Sequence, residues 1–269
     1  TIYLKNINKK FELSLDSWLK KVKKYSVNTS GTVVKNLKVI CSYSKKNELE
    51  VHPYYQFIKV YKQDKKDKII QTLSFDELET IENWQTDNER LNNAKKWLLI
   101  GCNIGQRVED LININLTSFV TINDIKYIEL NQEKTEKDVL IPINEQCQRV
   151  LNTGMPYKIS QQKLNKYVKE VCKLAGLVEV IEGDLYDKET KRKIRGNYPK
   201  HKLITSHSFR RSYATNYYKE TPTPIIMEVT GHSKESTFLE YINKPVDKTR
   251  NANLMLQFMQ LTEKKRLEQ

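Results

Sequence analysis

Between Tyr54 and Leu73 the chain loses every periodicity that builds a helix, and this break limits the fold more than any other feature. The segment "YYQFIKVYKQDKKDKIIQTL" carries β-formers and a cluster of Lys and Asp, so it reads as extended chain running into a linker. Directly after it comes "SFDE", in which Ser74 and Glu77 form a capping box. Each side chain there satisfies the other's backbone N–H, and the acidic first turn suits the helix dipole. A chain interrupted in this way folds as two domains, at about 1–72 and 73–269, with the boundary near Gln71. Its 269 residues and 38% hydrophobic content suffice for a core in each.

In the small region Ser14 opens a helical pattern with Leu15, Trp18, Leu19, Val22 and Tyr25 on one face and Lys20, Lys21, Lys23 and Lys24 on the others. A second helix is expected near Ser30, with Val33, Val34, Leu37 and Ile40 as its buried stripe. Residues 1–70 carry 16 Lys and Arg against 6 Asp and Glu, net +10, whereas residues 71–269 carry 30 against 27, within a total of +13. Solubility does not require that asymmetry. It points to a polyanionic partner, with Lys20, Lys23, Lys24, Lys35 and Lys38 as backbone contacts that follow phosphate, respond steeply to salt and read no sequence. Lys-rich genomic composition is the competing explanation.

The larger region reads as helices around a hairpin. Trp97, Leu98 and Ile100 lead into a glycine-punctuated turn and a helix from about Gln106, with Arg107 in its first turn. "IKYIEL" and "VLIPI" flank the polar "NQEKTEKD" and predict two antiparallel strands with Lys134 and Lys137 about the tip. Helices resume at Asn144, ending at Gly154, and at Ser160, where Leu164, Val168, Val171 and Leu174 form a stripe that stops at Gly176. Residues 186–202 hold seven Lys and Arg against two acids and no hydrophobic period. They read as a basic surface loop with His201 solvated and with Lys191, Arg192, Lys193 and Arg195 available to a polyanion's backbone, a disordered surface loop being the equal alternative. Thr205 or Ser206 can cap the helix of His207, Phe209, Arg210, Tyr213 and Tyr217. Pro224 opens a short helix that Gly231 ends, and Ser233 caps the next, which holds Phe238, Leu239 and Tyr241. A last helix from Thr249 carries Leu254, Phe258 and Leu261 on one face. The fold class is mainly α with a small antiparallel β-sheet (α+β).

Composition closes off other classes. Cys41, Cys102, Cys147 and Cys172 are scattered, with no C-x-x-C pair and no secretory signal, which argues against a disulfide framework or a zinc site and for a reducing cytoplasm. No apolar run approaches the ~20 residues of a membrane span, so no membrane insertion is expected. Thr1 in place of Met suggests a fragment that lacks an N-terminal segment.

The chemistry concentrates between His207 and Ile242. The H-x-x-R spacing puts His207 and Arg210 on one helical face, able to hold one phosphate. Gly231-His232-Ser233 adds a polar group at an interhelical turn, Tyr241 lies nine residues beyond His232, and Arg107 and Lys134 complete a set of six. Each has a plainer alternative: a surface charge for Arg107, a hairpin solubiliser for Lys134, a helix cap for His207, a turn stabiliser for His232.

Together "GQRVEDL", "NQEKTEKDVLIPI", "HSFRRSYAT", "TGHS" and "FLEYI", in that order, resemble the motifs of the tyrosine recombinase (phage-type integrase) family over roughly residues 75–245. The wording around His207 is particularly similar to integrases of conjugative and mobilisable transposons. The preceding basic region resembles the family's SAM-like, helical core-binding domain, which would clamp duplex DNA with the catalytic domain. The resemblance implies metal-free and cofactor-free chemistry. Tyr241 would attack the scissile phosphate to give a 3′-phosphotyrosyl enzyme and a free 5′-hydroxyl, conserving bond energy for religation. Arg107 and Arg210 would clamp the non-bridging oxygens, His232 would donate a further hydrogen bond, Lys134 would be the general acid and His207 the general base. Lys137 is the rival to Lys134. Tyr213, Tyr217 and Tyr218 are rivals to Tyr241, which alone has the nine-residue offset. Arg211 would be structural or a DNA-backbone contact, and Asp110 would orient the site. The implied partners are double-stranded DNA at specific recombination sites, three further protomers in a homotetramer on two sites, and an accessory DNA-bending protein, all at the nucleoid of a bacterial cytoplasm. The family's usual extra N-terminal arm-binding domain has no counterpart in the chain, which fits a truncation. A type IB topoisomerase-like strand cutter and a catalytically silent DNA-binding regulator are the alternatives, and the intact set of six opposes the second.

Overall fold

The computed structural model describes residues 1–62, 69–190 and 192–267, so Lys191 lies outside the described residues. The chain divides into two compact units, Thr1–Lys68 and Ile69–Gln269.

In the first unit, the Asn8 side chain accepts from the Phe11 N–H and starts α1 (Lys9–Ser17), which runs into a π-helical turn, Trp18–Val22. Ser26 caps α2 (Val27–Lys46) in the same manner. Both helices begin earlier than Ser14 and Ser30, because the caps that satisfy the free N–H groups precede the apolar stripes. Ile7, Leu19, Val34, Cys41, Tyr55 and Ile58 form the core. Trp18, Val22, Tyr25 and Ile40, expected to be buried, are exposed. The wider turn at Trp18–Val22 rotates the residues after it off the α1 stripe, and the inward face of α2 instead carries Ser30, Gly31, Val34, Cys41 and Ser44.

The second unit is built around one buried helix. Ser74 and Glu77 form the capping box of α3 (Phe75–Asn83). In α4 (Glu89–Ile104), Trp97, Leu98, Leu99 and Ile100 are successive residues and all buried, so the helix is enclosed on every side. It packs against α6 (Glu145–Asn152), α7 (Gln161–Leu174) and α9 (Ser206–Tyr217). Each such side chain removed from water contributes ~1.5–3 kcal/mol. After the short α5 (Val108–Ile112) come β1 (Phe119–Ile122), β2 (Ile125–Gln132) and β3 (Lys137–Pro142), an antiparallel sheet in the order β1-β2-β3. The β2–β3 hairpin is the predicted one, and β1 adds a third strand. Its register pairs Ile128 with Ile141 and Gln132 with Lys137.

The basic segment at 186–202 is not a loop. Its first two residues end β4 (Val180–Asp187), residues 192–199 form the antiparallel partner β5 (Arg192–Pro199), and residues 200–202 lie in α8 (Lys200–Leu203). Both strands are largely solvated, so they show no apolar alternation. His201 is 8% exposed, with Nδ1 3.3 Å from the Leu177 carbonyl, and is not a solvated residue. Next come α10 (Thr223–Thr230) and α11 (Glu235–Ile242), the latter preceded by Lys234 with no side-chain cap, not capped by Ser233. The last helix, α12 (Lys248–Leu267), is held at its base by Arg250, which donates to the carbonyls of Tyr218 and Thr221 and lies 4.0 Å over the Tyr218 ring. Leu254 is buried there, while Phe258 and Leu261 are exposed. The chain is therefore mainly α with small antiparallel sheets.

Candidate active site

The site starts where α4 ends. Gly105 takes the left-handed conformation, φ +65°, and a Cβ there would strike the Tyr213 ring. This tight exit leaves Arg107 as the extended residue just before α5, one position outside the first turn in which it was expected. From α9, Arg210 is 4% exposed. Its Nη1 donates to the Gly105 carbonyl at 3.1 Å and its Nη2 donates to the Thr230 carbonyl. Burial, with the Arg107 charge adding to it, pushes Arg210 down to about 10, which leaves it charged at neutral pH.

Three segments meet at one amide. Gln132, 0% exposed at the end of β2, donates from Nε2 to Gln106 Oε1 at 2.8 Å and to the Val229 carbonyl at 3.0 Å. Its Oε1 accepts from Arg107 Nη1 at 3.3 Å and from Thr135 Oγ1 at 2.7 Å. Gln106 also donates to the Val229 carbonyl, at 2.8 Å. The α4–α5 link, the β2–β3 turn and the C-terminal end of α10 (Thr223–Thr230) are thus tied together, and Arg107 is held in place by the same side chain. Gly231, φ +62°, makes this possible, since any Cβ there would collide with Gln132 Oε1. Asp110 Oδ1 accepts from the Glu133 N–H at 3.1 Å and pins the β2–β3 turn one residue after Gln132, while its Oδ2 is buried with no hydrogen-bond partner.

Tyr241, on α11, lies among four of these groups. His207 meets its ring edge-on at 5.5 Å between centroids, and His232 stands at 5.1 Å. Arg210 and Arg211 lie over the ring at 5.9 and 5.2 Å. The phenol oxygen is buried without a hydrogen bond of ordinary geometry. Burial raises the Tyr241 pKa, and the charges of Arg210, Arg211 and Arg107 pull it back. His232 is pushed down to about 4, mainly by burial and further by Arg210 and Arg107, so its ring is neutral near pH 7.

The structure therefore gathers Arg107, Arg210, His207, His232 and Tyr241, and it adds Arg211, which stands at the phenol with a buried, unpaired Nε. Lys134 lies exposed in the β2–β3 turn, two residues from the Gln132 that holds Arg107. Lys137 is half-buried and register-paired with Gln132. Of the rival tyrosines, Tyr218 packs into the core near Phe238, and Tyr213 and Tyr217 pair with each other at 4.8 Å. Gln106, Gln132 and Thr230 escaped the sequence reading. The carbonyl that Gln106 and Gln132 share is 123 and 97 residues away, so no local pattern announces it.

The candidate DNA contacts differ among themselves. Lys38 donates to the carbonyls of Gln56 and Ile58, both at 2.8 Å, and so fastens its own unit. Lys20 pairs with Asp16 at 2.8 Å, and Lys23 lies 4.9 Å over the Trp18 ring. Lys24 follows with a positive φ, and Lys35 is exposed on α2. On β5, Arg192 and Lys193 are exposed, and Arg195 lies 3.4 Å from Asp184.

The family model described as the phage integrase family matches residues 71–247. Among solved structures, the chain is similar to the XerH site-specific recombinase bound to palindromic difH substrate, with 19% identity over 93% of this chain and 72% of that one and a TM-score of 0.62. A lambda integrase tetramer bound to a Holliday junction shares 14% identity over 91% and 68%, with a TM-score of 0.60. The Tn1549 transposon integrase in complex with transposon right end DNA shares 13% over 96% and 88%, with a TM-score of 0.62. No curated protein matches the sequence.

Proposed function

The chain belongs to the phage integrase family, the tyrosine recombinases, and is a site-specific recombinase that breaks and rejoins DNA; on that premise we propose that Tyr241 is its nucleophile and that Arg107, Lys134, His207, Arg210 and His232 complete the active site. The observation that carries this reading is the closure of α9 and the α10–α11 turn on one phenol, with His207, Arg210, Arg211 and His232 all bordering the Tyr241 ring.

Tyr241 oxygen attacks the scissile phosphorus, His207 takes the phenol proton, and the P–O5′ bond breaks as Lys134 protonates the departing oxygen. The 3′-phosphotyrosine stores the energy of the broken bond, so the reverse attack by a 5′-hydroxyl needs no nucleotide. Arg210 is oriented before substrate arrives, because two of its N–H groups are committed to the carbonyls of Gly105 and Thr230. Its remaining donors and those of Arg107 meet the non-bridging oxygens without reorganisation, which is the larger part of stabilising a pentavalent phosphate. Burial keeps Tyr241 protonated at rest, and a positive site lowers the cost of ionising it during attack.

The substrate is duplex DNA at specific recombination sites, bound by both units of the chain. Four protomers on two sites exchange strands in turn to integrate or excise a mobile element at the bacterial nucleoid, assisted by an accessory DNA-bending protein. The DNA-bound states of the XerH, lambda and Tn1549 structures support this reading. Among the described residues no helix is long and apolar enough to cross a membrane.

The test is a duplex spanning the junctions that flank the chain's own gene, nicked beside the scissile phosphate so that cleavage traps the protein. The wild type gives a slow band on a denaturing gel that Tyr241→Phe abolishes. Persistence of the band in Tyr241→Phe, or tight binding by the wild type with no band, overturns the assignment.

A further inference from the structure

His232 cannot play its expected part in its resting form. Thr230 Oγ1 lies 2.7 Å from the Ile226 carbonyl and 2.8 Å from His232 Nδ1. A hydroxyl has one proton, and a carbonyl oxygen can only accept. If that proton pointed at Nδ1, two oxygen lone pairs would face each other at 2.7 Å. The arrangement that satisfies both contacts is Nδ1–H donating to Thr230 Oγ1, and Thr230 O–H donating to the Ile226 carbonyl. Thr230 is fully buried, so water offers no alternative partner. A neutral His232 with its proton on Nδ1 has a bare lone pair on Nε2.

A lone pair repels a phosphate oxygen. We propose that Thr230 is a positioning residue that makes His232 a conditional donor: His232 engages the scissile phosphate only after Nε2 takes up a proton from solvent, so that loading of the site is coupled to uptake of one proton. The step balances simply: one buffer-borne proton adds to Nε2, no other bond changes, and the imidazolium then donates from both nitrogens, to Thr230 and to phosphate. This rests on the reading that His232 lies in the active site.

The surroundings set the switch. Arg210 from α9 and Arg107 before α5 supply nearby positive charges, and Tyr241 from α11 is a further titratable side chain against the ring, with His207 from α9 on the same phenol; Phe238, also on α11, packs at 5.5 Å. With no anion present, the two guanidinium groups and burial hold the ring neutral. A phosphodiester between them offsets those charges and favours the imidazolium.

Two measurements test this. The first is histidine-selective nitrogen NMR on the free chain, with the His232 signal assigned by its loss in His232→Gln. Wild type and Thr230→Ser should show a protonated Nδ1 and a bare Nε2, and Thr230→Val should lose that preference. A wild-type His232 protonated on Nε2 overturns the proposal, whether or not the valine variant folds.

The second is calorimetric titration of the junction duplex into Tyr241→Phe chain, in buffers of different ionisation enthalpy. One more proton should be taken up than by the Tyr241→Phe/His232→Gln double variant. With Thr230→Val added instead, the ring can donate while neutral, so that uptake should fall towards zero, and Thr230→Val in the chain that keeps Tyr241 should cleave with a flatter pH dependence than the wild type. Equal uptake with and without His232 overturns the conditional donor when His232→Gln still lowers adduct formation roughly a hundredfold, the loss expected for a transition-state donor. If His232→Gln forms adduct at the wild-type rate, the placement of His232 in the site is what fails, and the proposal falls with it.

Discussion

Single residues carry the sharpest consequences. Lys134 rides, exposed, on a turn whose β2 end is held by the Gln132 bonds and by the Asp110 bond to the Glu133 N–H. Lys137 projects from the same face as the buried Gln132. Lys134→Ala is expected to slow cleavage by about 10²–10⁴-fold, with recovery on DNA whose bridging 5′-oxygen is replaced by sulfur, since a thiolate leaves without a proton. Lys137→Ala should cost far less, and the opposite ranking in a trapped-adduct assay would transfer the acid role to Lys137. His232 gives a second test, in stability. Its folded pKa, about 4, lies below the ordinary 6.5, so the unfolded chain binds the proton more readily. The contribution is complete above pH 6.5 and is lost as pH falls towards 4, up to ~3 kcal/mol at about 1.4 kcal/mol per unit. Denaturant midpoints across that window should fall less steeply in His232→Gln, and parallel curves would place the ring in water. The six residues proposed for the site could be picked out of the sequence because each sits in a short motif. Arg211 could not, because nothing in "FRRS" says which arginine faces the phenol. Thr230 could not, because its significance lies in a hydroxyl angle.

At the scale of elements, the site depends on how closely α9 approaches α4. Gly101 sits at that crossing, where an added Cβ would meet the Phe209 ring at 2.7 Å and the Leu111 side chain at 2.8 Å. Arg210 follows Phe209 directly, so the distance between the helices sets its reach to the Gly105 carbonyl. Gly101→Val should cost about 1–3 kcal/mol in stability through overpacking and should lower cleavage beyond what the lost folded fraction explains. Equal losses in folded fraction and activity would mean that Arg210 does not depend on the spacing. Helices such as α3, α6 and α7 were legible because Ser74, Asn144 and Ser160 cap them locally. The β4–β5 hairpin was hidden because its strands carry Lys and Arg on solvated faces and are held by backbone pairing, such as Gly183 with Gly196, which leaves no side-chain signature. The start of α1 was hidden for a related reason: Asn8 precedes two lysines, and the apolar stripe begins only later.

At the scale of the molecule, α12 has no partner for much of its length within the described residues. Met255, Leu256, Phe258, Met259 and Leu261 are each roughly half exposed, although Arg250 fixes the base of the helix firmly against the α9–α10 connection. A helix anchored at one end and apolar beyond it loses free energy in water unless another surface covers it. The four-protomer assembly proposed above would supply such a surface. Phe258→Glu with Leu261→Glu should therefore change the melting temperature only modestly, since both side chains already stand about half in water and the buried anchor of the helix, Leu254 with Arg250, is untouched. The same pair should weaken tetramer formation on a two-site duplex, read by sedimentation, because two carboxylates would have to enter a covered apolar contact. Binding of a single protomer to a half-site should persist, since the excess charge that draws in DNA lies in residues 1–70, far from α12 in sequence. A much lower melting temperature in the double variant would mean that α12 folds back onto its own chain in solution, and unchanged assembly would assign the tetramer contacts to other surfaces.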